Sequence, residues 1–277
     1  MEVVLVPCLY QRLLLRQMNL PIVTLNLVQS PLKIGDQPGD IPPNIQHSCI
    51  LADSDGTHVG LFLKSLPDDL QNLVNIADAE IHTDRVPKST MKRSSGLHDD
   101  SAEVLQYSTI LGSIPPKPHM RRGYPSKSSV HSNKKANTFV KAMNAAGIAA
   151  FKLIANYVPS VVATHQAACD ERLPLKWRFA QHFSSTISNC NIAAPIHQDN
   201  ANVKRAVNLI ITKRRNSTGG NLHVPDFDAT FDQTDNSLLV YPAWRNRHGV
   251  TPIIPTHQGG YRNSHVWYAL DSFANHG

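Results

Sequence analysis

The sequence has few cysteines and no long apolar run, which excludes several classes of protein. The four cysteines are scattered along 277 residues without a CxxC pair: Cys8, Cys49, Cys169 and Cys190. This spacing argues against a zinc cluster or a disulfide scaffold and favours a reducing compartment. No run reaches the roughly 18–20 apolar residues of a membrane span, because Arg12 and Arg16 interrupt the apolar stretch 3–28. We expect a soluble cytoplasmic, nucleoid or nuclear protein without membrane contacts.

Charged residues are also scarce, at 17% of the chain against 41% apolar residues. An apolar fraction of this size can fill a core, so the composition is not that of a disordered protein. The length fits one large domain or one domain with an appended segment.

Acidic residues are absent from a long central stretch. None occurs between Glu103 and Asp170, whereas eight Lys and Arg residues do. Residues 1–108 carry 8 basic and 13 acidic side chains, a balance of −5, and residues 109–277 carry 19 and 8, a balance of +11. Such a basic half favours a polyanionic partner, either nucleic acid or an anionic membrane surface. An ordinary solvated basic face is the alternative.

The chain divides by pattern into an N-terminal segment, residues 1–108, and a C-terminal segment, residues 109–277. In the N-terminal segment, the runs Cys49–Leu51 and Val59–Leu63 flank a turn-forming stretch and predict a hairpin. The apolar spacing of Pro67–Glu80 predicts a helix. This segment is expected to be an N-terminal extension or a small α+β segment of unknown role.

The C-terminal segment begins with a helix and continues as short strands. An apolar face along Asn133–Tyr157 predicts a long helix that ends at Pro159. Short β-like runs separated by turn residues follow: Ala206–Thr212, Gly220–Val224, Ser237–Pro242, Gly249–Ile254 and His265–Leu270. Strands of this length predict an antiparallel sandwich or barrel with the long helix packed outside, and hence an α+β fold.

The tripeptide His197-Gln198-Asp199 carries the first sign of chemistry. In an extended segment residues i and i+2 share a face, so the imidazole and the carboxylate can converge on one ion. His248, which follows the predicted strand Ser237–Pro242, is the best third ligand. Two His and one carboxylate on one face of an octahedron leave three positions open, as in non-haem Fe(II) oxygenases. With 14 His in the chain, an isolated HxD pair also arises without any metal.

Arg262 extends this set. It lies at the start of a strand-like run, and Ser264 lies on the same face two positions later. An Arg there can bind a carboxylate through two hydrogen bonds, with an added hydroxyl donor from Ser264. A co-substrate that chelates the metal at one end and carries a distal carboxylate fits this pair. A surface ion pair of Arg262 is the alternative.

Four motifs between Ile192 and Leu270 carry a resemblance to a known family: His197-Gln198-Asp199, Gly219-Gly220-Asn221-Leu222, His248-Gly249-Val250-Thr251-Pro252 and Arg262-Asn263-Ser264. This stretch resembles the double-stranded β-helix (jelly-roll or cupin-like) core of the 2-oxoglutarate/Fe(II)-dependent dioxygenases. Within them it resembles the TET/JBP branch, which oxidises the 5-methyl group of pyrimidines in DNA. The resemblance implies Fe(II), 2-oxoglutarate and O₂. It also implies His197, Asp199 and His248 as iron ligands, and Arg262 with Ser264 as the site for the 2-oxoglutarate carboxylate.

The resemblance also implies contacts with a base flipped out of DNA. Asn202 is expected to touch the base edge and Tyr268 to stack on the base. A turn cap at Asn202 and an ordinary core aromatic at Tyr268 are the alternatives. Where TET-type enzymes have a His beside the cytosine amino group, this chain has Leu270. Leucine cannot make that hydrogen bond, so thymine becomes at least as good a candidate as 5-methylcytosine.

Further basic and aromatic residues are candidates for DNA contacts. Trp244, Arg245 and Arg247 are expected to line the mouth of the site. Lys213-Arg214-Arg215 is a candidate for phosphate contacts, or else a solvated hairpin loop. The basic segment 109–152 is expected to follow the DNA backbone. Three other histidines are expected to be structural or solvent-facing: His223, His257 and His265.

These observations favour a dioxygenase that hydroxylates the 5-methyl group of thymine or 5-methylcytosine in DNA, presented as a flipped base or a single strand. One alternative is an oxygenase of the same superfamily that acts on a protein or a small molecule. Another is a non-catalytic nucleic-acid-binding β-helix protein. The charge asymmetry argues against the first alternative, and the complete set of five site residues argues against the second.

Overall fold

A ten-stranded sheet forms the larger part of the fold in the computed structural model, which describes residues 20–90, 106–117 and 122–277. Its strands are β1 Ile22–Leu25, β2 Cys49–Asp53, β3 His58–Leu63, β4 Ser89–Thr90, β5 Tyr107–Ile114, β6 Ser126–Lys127, β7 Ser185–Cys190, β9 Asn208–Arg215, β13 Ser237–Tyr241 and β16 Tyr261–Tyr268. Their order is β1-β2-β3-β13-β9-β16-β7-β5-β4, and β6 pairs with β5. The β1–β2 pair is parallel, and the other pairs in this sheet are antiparallel.

A smaller, four-stranded antiparallel sheet packs on one face of the larger sheet. Its strands are β8 Ala194–His197, β11 Leu222–Val224, β12 Ala229–Thr230 and β14 His248–Val250, in the order β12-β11-β14-β8. Two further strands, β10 Ser217–Gly219 and β15 Ile253–Pro255, form a separate pair. The two sheets share one apolar core, in which Ile210 and Leu239 of the larger sheet join Leu222 and Val224 of the smaller one.

Three helices pack on the opposite face of the larger sheet: α1 Asp68–Ile81, α2 Asn137–Ala155 and α3 Pro159–Arg172. Because side chains alternate along a strand, β9 directs Leu209 and Ile211 into the helix-side core and Ile210 toward the smaller sheet. At Gly147 of α2 a Cβ would lie 2.6 Å from Nε1 of Trp267, so glycine permits the close approach of helix and sheet. Short 3₁₀ helices complete the fold: Lys134–Ala136, Leu175–Trp177, Pro225–Phe227 and Asp271–Phe273.

One helical stretch, Lys134–Ala155, is long and apolar enough to cross a membrane, and within the described ranges it is the single stretch that meets this test. Its apolar side chains Phe139, Met143 and Ala146 are fully buried against the larger sheet. In this structure it is therefore a core helix.

The expected α+β arrangement, with antiparallel strands and the long helix packed outside, is confirmed. The predicted hairpin forms as β2 and β3, and the helix predicted at Pro67–Glu80 forms as α1. Helix α3 is not predicted by the sequence pattern. Pro159, the residue expected to end the long helix, also begins α3, because proline is tolerated at a first helical position. The buried side of α3 includes His165, which breaks the apolar pattern.

The described part of the N-terminal segment belongs to the same sheet as the rest of the chain. β3 pairs with β13, and the predicted boundary between residues 108 and 109 falls inside β5. A loop before β2 also binds the smaller sheet, since Gly35 N–H donates to the Ile196 carbonyl at 2.8 Å and Ile196 N–H donates to the Asp36 carbonyl at 2.8 Å. The N-terminal segment therefore supports β8 from its outer edge.

The buried His165 makes the stability of the fold depend on pH. Its Nδ1 accepts from the Val207 N–H at 3.1 Å, its Nε2 lies 2.8 Å from the His182 carbonyl, and burial lowers its pKa to about 4. Because the pKa of His165 is lower in the folded protein than in the unfolded protein, protonation favours unfolding. The stability that depends on this group is complete above the unfolded pKa of about 6.5 and is lost as pH falls toward 4. At pH 5 the loss is on the order of 2 kcal/mol for this group.

We predict that His165→Gln reduces by about 2 kcal/mol the drop in unfolding free energy between pH 7.5 and pH 5. Glutamine offers an acceptor and a donor without titrating in this range. Urea unfolding at the two pH values measures the effect, with His257→Gln at an exposed site as the control. Equal pH dependence in wild type and His165→Gln would contradict this role of His165.

Candidate active site

Three side chains converge at the junction of β8 and β14. His197 ends β8, His248 begins β14, and the two residues lie directly opposite each other in the antiparallel register. Asp199 follows His197 by two residues. One donor atom from each of the three side chains lies within 4.8 Å of the other two, and the two imidazole centroids are 4.3 Å apart. The predicted set is thus brought together by strand pairing.

Backbone carbonyls orient both imidazoles. Nδ1 of His197 lies 2.8 Å from the Pro195 carbonyl, and Nδ1 of His248 lies 3.1 Å from the Asn246 carbonyl. A carbonyl accepts a hydrogen bond, so each Nδ1 carries the proton and each Nε2 keeps its lone pair for an ion. Burial, together with the nearby His197, lowers the pKa of His248 and keeps this imidazole neutral.

Asn208 holds the carboxylate of the set. Its Nδ2 donates to Oδ2 of Asp199 at 2.9 Å, while Oδ1 of Asp199 lies 3.6 Å from Nε2 of His197. Asn202, expected to touch a base edge, donates through Nδ2 to Oδ1 of Asn208 at 2.8 Å. Asn202 is buried and lines the cavity, so in this structure it fixes the orientation of Asn208.

Arg262 lies on β16, two residues before Ser264, and both side chains line the same cavity as the three converging residues. Arg262 is 1% exposed, and its Nη2 donates to Oε1 of Gln233 at 3.0 Å. Its Nε has no partner among the described residues. Burial and the neighbouring Arg214 lower the pKa of Arg262 to about 9, so the group stays charged at neutral pH. A buried cation held by a neutral amide favours an anionic ligand.

Gly220 makes room for this guanidinium. It adopts a positive φ of 63°, and a Cβ there would lie 3.1 Å from Cδ and 3.3 Å from Nε of Arg262. Glycine meets both demands, because it has no Cβ and tolerates the left-handed region.

The cavity that joins these groups has a volume of about 500 Å³. Its apolar walls come from both sheets and the segments between them: Ile187, Ile192, Ala194, Ile210, Leu222, Val250 and Val266. Tyr268 and Leu270 also line it. Burial raises the pKa of Tyr268 to about 12, so the ring is a neutral phenol. This volume falls in the range of small-molecule sites and accommodates two small ligands together.

Trp244, Arg245 and Arg247, expected at the mouth of the site, are not among the residues that line this cavity. Arg245 makes two hydrogen bonds of 2.8 Å to Asp53, and Arg247 pairs with Asp226 through Nε at 2.8 Å. Their charges are therefore already compensated within the protein. Trp244 and Arg245 line a separate cavity of about 200 Å³.

The other basic candidates also have structural positions. Nζ of Lys213 pairs with Asp235 at 2.9 Å, and Arg214 donates to the Gln233 carbonyl at 3.0 Å and the Gly219 carbonyl at 2.7 Å. The basic segment 109–152 includes α2, which packs on the face of the larger sheet away from the cavity. The residues that line the cavity include none of the described residues of this segment.

The three histidines expected to be structural or solvent-facing, His223, His257 and His265, lie in structural or exposed positions. Nδ1 of His223 lies 2.8 Å from the hydroxyl of Thr230, Nδ1 of His265 lies 2.8 Å from that of Ser188, and His257 is exposed.

Three amide residues of the site were not identified from the sequence. Gln198 donates through Nε2 to the Trp244 carbonyl at 2.8 Å and so ties the HxD segment to the loop before β14. Asn208 begins β9, and Gln233 follows β12. For Gln198, the position between two predicted metal ligands was the one feature of the sequence that indicated a role in the site. Asn208 and Gln233 belong to the site only through contacts with residues distant in sequence, which no local motif indicates.

Comparison with protein-family models found no match, and comparison with curated protein sequences found no similar protein. The structure is similar to NgTET1 in complex with 5mC DNA, at 14% identity and a TM-score of 0.56, over 93% of this chain and 84% of that one. An oxidoreductase of the 2OG-Fe(II) oxygenase family from Burkholderia pseudomallei matches at 14% identity and a TM-score of 0.43, over 76% and 84%. A 2OG-Fe(II) oxygenase family protein from Caulobacter crescentus matches at 11% identity and a TM-score of 0.45, over 80% and 77%.

The two packed sheets agree with the expected double-stranded β-helix fold, and the similarity to NgTET1 confirms the TET-like resemblance at the level of the fold. The His-Asp-His donor set lies where the sequence motifs place it, at the junction of two strands of that fold.

We predict that Asn208→Ala weakens the binding of a divalent metal about 10–100-fold, because the Asp199 carboxylate loses the group that orients it. Titration with Mn(II), followed by electron paramagnetic resonance, measures the affinity. Asn275→Ala, at an exposed position near the C-terminus, is the control. Unchanged Mn(II) affinity in Asn208→Ala would show that Asp199 does not need Asn208.

Proposed function

We propose that this protein is a 2-oxoglutarate- and Fe(II)-dependent dioxygenase that hydroxylates the 5-methyl group of thymine or 5-methylcytosine in DNA. The observation that carries the proposal is one cavity lined by two chemically different groups. The His197, Asp199 and His248 set lines it together with Arg262, which is buried and forms no ion pair with a described carboxylate. A metal and a dicarboxylate co-substrate match these two groups in charge and in ligand type.

His197, Asp199 and His248 would hold the metal through two neutral nitrogens and one carboxylate oxygen. This donor set suits Fe(II) and leaves coordination positions for other ligands. When bound, Fe(II) and 2-oxoglutarate supply oxygen activation, with conversion of the co-substrate to succinate and CO₂. The residues themselves hold the set in place: carbonyls fix the imidazoles, and Asn208 fixes Asp199.

Arg262 and Ser264 would bind the distal carboxylate of 2-oxoglutarate. The guanidinium is pre-positioned by Gln233 and by the space at Gly220, and both side chains line the cavity. Because the pocket is buried, a carboxylate there makes stronger charge-assisted hydrogen bonds than it would in water.

The substrate class is supported by the size and lining of the cavity. A methyl group stacked inside duplex DNA cannot enter a cavity of this kind, so the base must leave the helix or come from a single strand. Tyr268 offers an aromatic face and Leu270 an apolar one beside the same cavity. Leu270 gives no acceptor for an exocyclic amino group, which favours thymine at least as much as 5-methylcytosine. NgTET1, which shares the fold, was solved with 5mC DNA.

We predict 5-hydroxymethylpyrimidine in DNA incubated with the protein, Fe(II), 2-oxoglutarate and ascorbate, detected by mass spectrometry of the released nucleosides. Asp199→Ala abolishes the product because it removes the single carboxylate ligand of the set. Duplex and single-stranded DNA, each containing thymine and 5-methylcytosine, serve as substrates. No hydroxymethyl product from either base would contradict the DNA assignment, while succinate release on a non-DNA substrate would indicate the alternative oxygenase.

We predict that Arg262→Ala raises the 2-oxoglutarate concentration needed for half-maximal turnover about 100-fold, the loss expected for a buried charge-assisted contact. Arg215→Ala, at an exposed position on the same sheet, is the matched control. The dependence of initial rate on 2-oxoglutarate measures the effect. An unchanged requirement in Arg262→Ala would remove Arg262 from this role.

A further inference from the structure

Gln233 is a fully buried residue that the motifs of the site do not include. It lies between β12 and β13 and is 0% exposed. Its side-chain Oε1 accepts from the Leu222 N–H at 3.0 Å and from Nη2 of Arg262 at 3.0 Å. Its backbone carbonyl accepts from Nη1 of Arg214 at 3.0 Å. A single neutral residue therefore contacts two buried or half-buried guanidinium groups.

The orientation of the Gln233 amide follows from its neighbours. A backbone N–H and a guanidinium nitrogen are both donors, so the amide end between them must be the oxygen. The opposite end, Nε2, is a buried donor without a partner among the described residues, as is Nε of Arg262. Two unsatisfied donors on a pair of contacting residues are unusual, because buried polar groups are generally paired.

The absence of charge on Gln233 is as important for the state of Arg262 as the hydrogen bond between the two side chains. A glutamate of the same length at this position would form an ion pair with Arg262 and cancel its charge. With glutamine, the guanidinium is held in place but remains uncompensated, and the charged group that acts on it is another cation, Arg214. The site therefore keeps its positive charge for an incoming anion.

We propose that Gln233 is a positioning residue for the co-substrate: it fixes the Arg262 guanidinium and, by being uncharged, leaves that charge free for the distal carboxylate of 2-oxoglutarate. This inference rests on the proposed function, because it concerns the same co-substrate. It acts through Arg262, so it affects the binding of 2-oxoglutarate more than the assembly of the metal ligands.

The test substitutes Gln233→Glu and measures the melting temperature and the dissociation constant of 2-oxoglutarate. A packing defect would not raise both quantities. The internal ion pair raises the melting temperature of the protein without ligand by about 2–4 °C. The same ion pair competes with 2-oxoglutarate, so the dissociation constant measured calorimetrically with Mn(II) present rises about 10-fold or more. A simple packing defect would lower the melting temperature instead. Gln258→Glu, at an exposed position, is the control of equal charge and changes neither quantity.

Gln233→Met supplies an independent readout. It keeps the volume but removes the acceptor, which leaves the Leu222 N–H and Arg262 unpaired. Its melting temperature falls and its 2-oxoglutarate affinity weakens about 10-fold. Mn(II) affinity in the absence of 2-oxoglutarate stays unchanged, because His197, Asp199 and His248 are held by other groups.

The outcomes separate the role of Gln233 from the proposed function. A Gln233→Glu protein that is less stable than wild type, or that binds 2-oxoglutarate as well as wild type does, overturns the role of Gln233. In that case wild-type binding of 2-oxoglutarate still supports the proposed function. A wild-type protein that binds no 2-oxoglutarate with Mn(II) overturns both.

Discussion

The pairing of β8 with β14 is the constraint on which the rest of the site depends. It sets His197 opposite His248 although they lie far apart along the chain, and Asp199 joins because the chain leaves β8 just beyond His197. A slip of one residue in this register would turn one imidazole to the other face of the sheet. β8 is an edge strand of the smaller sheet, and the hydrogen bonds from Gly35 and to Asp36 hold its outer side.

Charge is distributed in two different ways in this protein. Among the described residues of 109–277, six basic side chains form ion pairs with carboxylates, namely Arg172, Arg178, Arg205, Lys213, Arg245 and Arg247. The exposed pairs among them add little stability, but all of them neutralise charge. Arg262 is the contrasting case, since it is buried and its neighbours are an amide and another cation. The charge that indicates a function is therefore the buried one inside the cavity.

The short sequence motifs predicted those parts of the site whose geometry depends on residues close together in the chain. The HxD segment, the strand beginning at His248 and the Arg262-Ser264 spacing follow from strand periodicity and ligand chemistry, and the structure places all of them around one cavity. Positions set by distant contacts were not predictable. The pairing of Arg245 with Asp53 joins β2 to a loop 192 residues away, and no spacing rule indicates it. Gln233 likewise owes its place to Arg262 and Leu222, which come from two different sheets.

The central claim is that one cavity binds a metal through His197, Asp199 and His248 and a carboxylate through Arg262. A crystal structure of the protein with Mn(II) and 2-oxoglutarate under anaerobic conditions tests it most directly. The account predicts one ion bound by His197, Asp199 and His248, with the distal carboxylate of 2-oxoglutarate against Arg262. An ion bound elsewhere, or a 2-oxoglutarate molecule whose carboxylates avoid Arg262, would contradict it.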